Sequence, residues 1–147
     1  MTTEQWYSAD FGIEVDEAGW EEDYEKVVDD LAAHLERATG IALTGWDSPA
    51  RGGVYFEGRE KYEDGQRIEA SIRPNYVPES GDWGWDDYRE YTVIANVFGS
   101  NPDQVDELRE AILASEDLGA TLLLREVVRP NQRIEVVYSL KDSGRSG

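Results

Sequence analysis

From Trp20 to Ala38 the apolar residues return every three or four positions: Trp20, Tyr24, Val27, Val28, Leu31, Leu35 and Ala38. That period lines all seven along one stripe of an α-helix. A strand would scatter them over both faces, because its side chains alternate. The spacing predicts a helix over about Glu17 to Thr39. Glu21, Glu22 and Asp23 fall in its first turns, where the helix dipole favours negative charge, and Gly40 follows as the left-handed residue that closes it. A helix with one apolar stripe must bury it against a second layer. The rest of the chain has to supply that layer.

The second layer reads as strands. Phe11, Ile13 and Val15 alternate within Trp6–Val15, which predicts an early strand. Val54 and Phe56 alternate with Tyr55 and Glu57, and Ile68, Ala70 and Ile72 alternate with Arg67, Glu69, Ser71 and Arg73. These two runs, joined by a charged turn over Gly58–Gly65, predict a hairpin. A long loop with Ser80, Gly81, Trp83, Gly84 and Trp85 then leads to a third β-rich run, Glu90–Phe98. A second helix is signalled by Asn101 as cap, Pro102 at its first position and Gln104 placed for a capping box. Val105, Leu108, Ala111 and Ile112 form its apolar face, and Gly119 marks its exit. Ala120–Val128 and Gln132–Leu140 predict two last strands around Arg129–Asn131. The order β-α-β-β-β-α-β-β gives an α+β fold: a mainly antiparallel sheet of five to six strands with two helices packed on one face. At 147 residues the chain suits one domain, taken as 1–141, with 142–147 as a flexible C-terminal tail.

The charge is uneven. The chain carries 32 acids against 14 Lys and Arg, a net charge of -18. Residues 1–36 hold 12 acids and one base, and 76–118 hold 11 and two. Residues 37–75 hold six of each, and 119–147 hold three acids and five bases. Uniform acidity for solubility or high salt is one reading. Two acidic blocks with a mildly basic end point instead to a directed, partner-facing surface. Phosphate-bearing ligands are disfavoured by the same field, so no direct nucleic-acid binding is expected.

Chemistry-bearing sets are sparse. The chain has no cysteine, which removes disulfides, thiolate metal sites and cysteine nucleophiles. There is no apolar run of about 18 residues and no signal-peptide pattern at the start, so a cytoplasmic location away from membranes is expected. The single histidine, His34, lies beside Leu31 and Leu35 at the edge of the helix stripe and reads as a boundary residue. Glycines lack phosphate-loop spacing. The carboxylate groups Asp82/Asp86/Asp87 and Glu60/Glu63/Asp64 lack the ordered spacing of a calcium loop. No catalytic residue, metal ligand or cofactor is assigned.

Two surfaces remain. Residues 78–91 place Trp83, Trp85 and Tyr88 among Asp82, Asp86 and Asp87, a mixture of contact area and carboxylates that suits a protein interface. The alternative is that a tryptophan plugs the core under a covering loop. The long helix adds Glu22, Glu25, Asp29 and Glu36 along its outer stripe, either a solvated face or a surface complementary to a basic protein.

The stretch Ala38–Phe56, with its D-S-x-x-R-G-G-x-Y-F run, followed by a strand ending at Asn75, resembles small actinobacterial immunity proteins of bacterial toxin systems over about residues 24–115. In that resemblance Gly52-Gly53 starts a strand and Arg51 anchors Asp47. It implies stoichiometric neutralisation of a cognate toxin and carries no catalytic residue. The leading expectation is therefore a protein-binding inhibitor of a basic-surfaced partner, with a nuclease toxin as the leading target. The alternatives are a phage-encoded DNA mimic occupying the nucleic-acid site of a host defence enzyme, and a small-molecule-binding or enzymatic α+β domain. Oligomeric state is not legible at this level.

Overall fold

The computed structural model describes residues 5–48, 53–61, 67–77, 82–130 and 133–140. Asp47–Arg51 anchoring, the Gly52 strand start, the Glu60/Glu63/Asp64 cluster and the 142–147 tail fall on side chains or segments outside the described residues, as do the side chains of Asp82 and Asp86.

The chain runs β1 (Trp6–Ile13), α1 (Glu17–Thr39), β2 (Thr44–Ser48), β3 (Gly53–Lys61) and β4 (Arg67–Pro74). A two-residue pair, β5 (Tyr76–Val77) and β6 (Asp82–Trp83), interrupts the long loop before β7 (Val93–Gly99), α2 (Pro102–Ala114), β8 (Ala120–Val128) and β9 (Ile134–Ser139). Seven strands form one sheet in the order β2-β3-β4-β7-β1-β8-β9, and every pairing is antiparallel. The fold is α+β as expected, with one strand more than the sequence indicated. The added strand, β2, has the sequence TGWDS and lies at the sheet edge. Its one large apolar residue, Trp46, is 52% exposed, so no buried alternation betrays it.

Alternation decides the faces. Ala9, Phe11 and Ile13 of β1, Ile68, Ala70 and Ile72 of β4, and Val93, Ala95 and Val97 of β7 point to one side and meet Trp20, Val28, Leu31 and Leu35 of α1 with Val105 and Ile112 of α2. Helix α1 lies over β3 and β4, α2 over β7, β1 and β8, and the helices touch each other. Burying side chains of this size stabilises by roughly 1.5–3 kcal/mol each.

Local signals explain most ends. Asn101 Oδ1 accepts from the amides of Asp103 (2.9 Å) and Gln104 (3.3 Å) and caps α2. Gly40 closes α1 at φ +74°. Helix α1 is not continuous, however. Asp23 is extended (φ -158°, ψ 76°), and its Oδ1 accepts from the Lys26 amide at 3.3 Å. Asp23 thus acts as an internal cap, and the uninterrupted stripe predicted through Glu22 and Glu25 is broken between them. The β3 strand also outruns its predicted end at Gly58. A Cβ there would come within 2.0 Å of the Ala42 carbonyl oxygen. Gly58 is needed for close approach of the α1–β2 connection rather than for a turn.

Candidate functional site

The loop between β4 and β7 is organised by Asn75, which is 1% exposed. Its Oδ1 accepts from the Trp85 amide at 2.7 Å. Its Nδ2 donates to the carbonyls of Tyr91 (2.9 Å), Tyr88 (3.0 Å) and, at a longer 3.4 Å, Trp85. The Asn75 backbone donates to Thr92 O and accepts from Gly84 N, both at 2.7 Å. One amide side chain therefore satisfies backbone groups that the 3-10 turn Asp86–Tyr88 would otherwise leave unpaired.

Held in this way, the loop covers the sheet face opposite the helices. Tyr88 (3% exposed), Ile94 and Leu123 form a second small core, with Trp85, Tyr91, Leu124 and Leu140 packed on it. The Trp85 and Tyr88 rings meet edge to face at 4.6 Å. Tyr91 lies on Gly12, where a Cβ would sit 2.4 Å from the ring. Any side chain at position 12 displaces the loop. Trp83 stays at the rim, tilted on Tyr76 at 4.8 Å and 5.8 Å below the Arg89 guanidinium.

This arrangement separates the residues that the sequence grouped together. Trp85 and Tyr88 are core elements of the covered face, and Asp87 is exposed beside them. Glu22, Glu25 and Asp29 are exposed on α1, on the other side of the sheet. The two regions meet round the sheet end, where Trp20 Nε1 donates to Tyr76 O at 3.1 Å. Glu36 leaves the outer stripe: it is half-buried and its Oε1 accepts from the Leu43 amide at 2.6 Å, fastening the chain after α1.

What the fold does bring together is a second acidic row. Helix α1 carries eight acids and two bases, and α2 carries four acids and one base. Asp103, Glu107 and Glu110 of α2 are exposed like Glu22, Glu25 and Asp29 of α1. The one base of α2, Arg109, is bonded to Asp106. Two sequence-distant blocks thus become one acidic helix layer. Sequence reasoning missed α2's share because it treated residues 76–118 as a loop-centred block.

The open sheet face carries mixed charge. Arg59 and Glu69 pair at 3.3 Å across β3 and β4. Between the loop and the parallel-stacked rings of Trp6 and Phe98 (4.8 Å), Asn96 Nδ2 donates to Asp10 Oδ1 (2.9 Å) and Ser8 Oγ (3.0 Å). Burial pushes the Asp10 carboxyl above its usual range, while the Asn96 bond and the Arg73 charge hold it back. Glu126 is also raised, by burial and then by the Asp10 charge. On α1, His34 Nδ1 meets the Arg37 guanidinium and lies 3.8 Å from Asp117. That is the boundary setting expected of it.

Among the described residues no helix is long and apolar enough to cross a membrane. No family model, no curated protein and no solved structure matches this chain.

Proposed function

We propose that this chain is a stoichiometric protein-binding inhibitor of the immunity-protein kind, which neutralises a basic-surfaced partner, a nuclease toxin foremost, through its helix layer. The supporting observation is the exposure of Glu22, Glu25 and Asp29 on α1 and of Asp103, Glu107 and Glu110 on α2, two helices that pack on each other. Enzymes that handle nucleic acid present basic clefts, and a rigid acidic face complements such a cleft at little ordering cost. In this reading the aromatic loop contributes rigidity, and of its described side chains Trp83 at the rim and the exposed Asp87 remain as partner contacts.

A DNA-mimic version of the same surface has one observation in its favour. Helix α1 carries eight acids in 23 residues, divided between two helical pieces by the break at Asp23, a density to set against one phosphate per ~3.4 Å of a DNA strand. The identity of the captured partner separates the two: an immunity protein retains a toxin, a DNA mimic retains a host defence enzyme, and duplex DNA competes with either for a basic cleft.

The test is capture from the native host's extract at low and high salt. Wild type is compared with a Glu25→Lys/Asp29→Lys/Glu107→Lys variant whose circular dichroism is unchanged. The expected result is a basic protein retained by wild type at low salt, released at high salt and lost by the variant. Equal retention by both proteins refutes the assignment of the helix face.

A further inference from the structure

Strand β9 stands apart from the rest of the sheet. It is the last strand in the order, so among the described residues no strand pairs with its outer edge. Residues 133–137 are exposed on both of their faces. Of the five large apolar side chains exposed in the described residues, Ile134 (59%), Val136 (53%) and Val137 (52%) all lie on this one strand. Exposed apolar edges template further strand pairing and are normally blunted. Here the blunting is partial: a register irregularity falls at Val137, between the partners Arg125–Tyr138 and Glu126–Val136. The regular stretch Arg133–Val136 remains presented.

We propose that this edge is the contact between two copies of the chain, paired antiparallel about a two-fold axis at Ile134. Three features on the strand fit that occupant. First, the backbone is poised for it. Arg129 N donates to Arg133 O at 2.8 Å, so Arg133 faces β8. By antiparallel alternation Ile134 turns its own N–H and C=O to the free edge. Two Ile134 residues then exchange both bonds. Second, that register is self-complementary in charge. Arg133 of each copy lies opposite Glu135 of the other, which Arg129 of its own chain already holds at 2.5 Å. The Arg133 guanidinium thus joins an existing ion pair on one face, while the Ile134 side chains meet on the opposite face. Third, this is the place where two chains of charge -18 can approach. Residues 119–147 hold three acids and five bases, and both helices lie elsewhere. A two-fold axis perpendicular to the sheet joins the two sheets into one and leaves both acidic helix layers on the same side. The product is a bivalent acidic body. The contact is independent of the proposed function, because it uses neither helix.

A strand pair of this length buries less than the ~1,200 Å² of a stable interface, so the dissociation constant belongs in the micromolar range. Salt screens the mutual repulsion of the acidic bodies, so self-association strengthens with salt. Partner binding through the helices is weakened by salt, which keeps the two readings separable. The experiment is sedimentation equilibrium of the full chain from about 1 to 200 µM protein, at low salt and at about 0.5 M. Wild type is expected to dimerise more at high salt. Ile134→Pro removes the outward-facing donor, which an edge strand tolerates, together with the Ile134 side chain at the axis, and it is expected to remain monomeric with an unchanged circular dichroism spectrum.

Register is tested by cross-linking, since the chain has no cysteine. Paired residues of the hydrogen-bonded kind lie about 5.5 Å apart at Cα, within disulfide reach. With oxidised glutathione accepting the two electrons, Ile134→Cys is expected to give a covalent dimer and Val136→Cys is not. Wild type that stays monomeric at every concentration and salt overturns the proposal. Cross-linking at position 136 as fast as at 134 overturns the register on which it rests.

Discussion

Replacing Asn75 by alanine takes away one amide and leaves the Trp85 amide and the Tyr91 carbonyl short of a partner, while Trp85 O and Tyr88 O still accept from the amides of Tyr88 and Tyr91. Three of its four side-chain bonds are short: from the Trp85 amide at 2.7 Å and to the Tyr91 and Tyr88 carbonyls at 2.9 and 3.0 Å. At about 1 kcal/mol net per bond, with ~1–3 kcal/mol for each buried group left unpaired, full retention of the loop would cost well above 3 kcal/mol. The loop has a cheaper escape, because it can peel off the sheet and hydrate those groups. Its cost is then capped by the docking of Trp85, Tyr88 and Tyr91 on Ile94 and Leu123. The expected loss is about 3 kcal/mol in urea denaturation, with the opening confined to the loop. That corresponds to roughly hundredfold faster hydrogen exchange at the Gly84, Trp85 and Tyr91 amides, while β1 and β7 stay protected. Tryptophan emission shifts to the red as Trp85 becomes wet. Asn75→Asp sharpens the test, because a carboxylate there faces three carbonyls and its folded pKa must rise. The deficit is then full above that raised value and disappears as pH falls toward the ordinary carboxylate pKa of ~3.9. A stability change under about 0.5 kcal/mol, with unchanged exchange at those amides, would refute the assignment of Asn75 as organiser of the loop.

Further expectations follow from single contacts. Gly12→Ala drives a Cβ into the Tyr91 ring and is expected to cost about 1–3 kcal/mol; in a Tyr91→Ala background the same change costs clearly less, and equal costs in both would sink the steric account. Asp10→Asn keeps an acceptor for Asn96 and removes a buried charge. Because burial raises the Asp10 pKa, the folded state binds more protons than the unfolded one between the ordinary and the raised value, so wild-type stability falls as pH rises through that window. The variant's urea midpoint should therefore exceed wild type's at pH about 7 and converge with it near pH 3; parallel curves over that range would contradict the sign. Asn101→Ala removes the cap of α2 and is expected to cost about 1 kcal/mol, while Asn101→Asp is neutral or better.

The legible parts of this fold are those whose burial is local and periodic. Trp20 to Ala38 could be read because one helix face meets one core, and Ile68–Ile72 because alternate residues do. Asn101 and Pro102 declared α2 by chemistry confined to four residues. Strand β2 was not legible, because an edge strand with an exposed Trp46 buries nothing in alternation. The break at Asp23 was masked by an apolar stripe that resumes beyond it. In the candidate site the limit is different. Trp85 and Tyr88 read the same whether an aromatic loop faces solvent or folds inward. The choice is made by Asn75, whose partners lie 10 to 16 residues away. Asp10 has the outward phase of β1 and reads as wet. Its carboxyl is buried in a polar cluster with Ser8 and Asn96, which only the pairing of β1 with β7 brings together.

Charge needs both levels. Acidity that served solubility alone would coat every face alike, since each gains equally from hydration and repulsion. In this fold Arg59, Arg67 and Arg73 stand on the strands, and Arg129 and Arg133 near the β8–β9 turn, whereas α1 and α2 carry twelve acids against three bases. The two helices come from chain segments more than 60 residues apart, and their packing concentrates like charge. That concentration destabilises the isolated molecule through self-repulsion. Raising salt from about 0.05 to 0.5 M, which shortens the screening length to a few ångströms, should therefore raise the urea midpoint of wild type. The Glu25→Lys/Asp29→Lys/Glu107→Lys variant should gain less, because part of the repulsion is already gone. An equal gain in both proteins would mean that the acidic rows do not interact across the helix pair. The case for a directed electrostatic surface would then lose its physical basis.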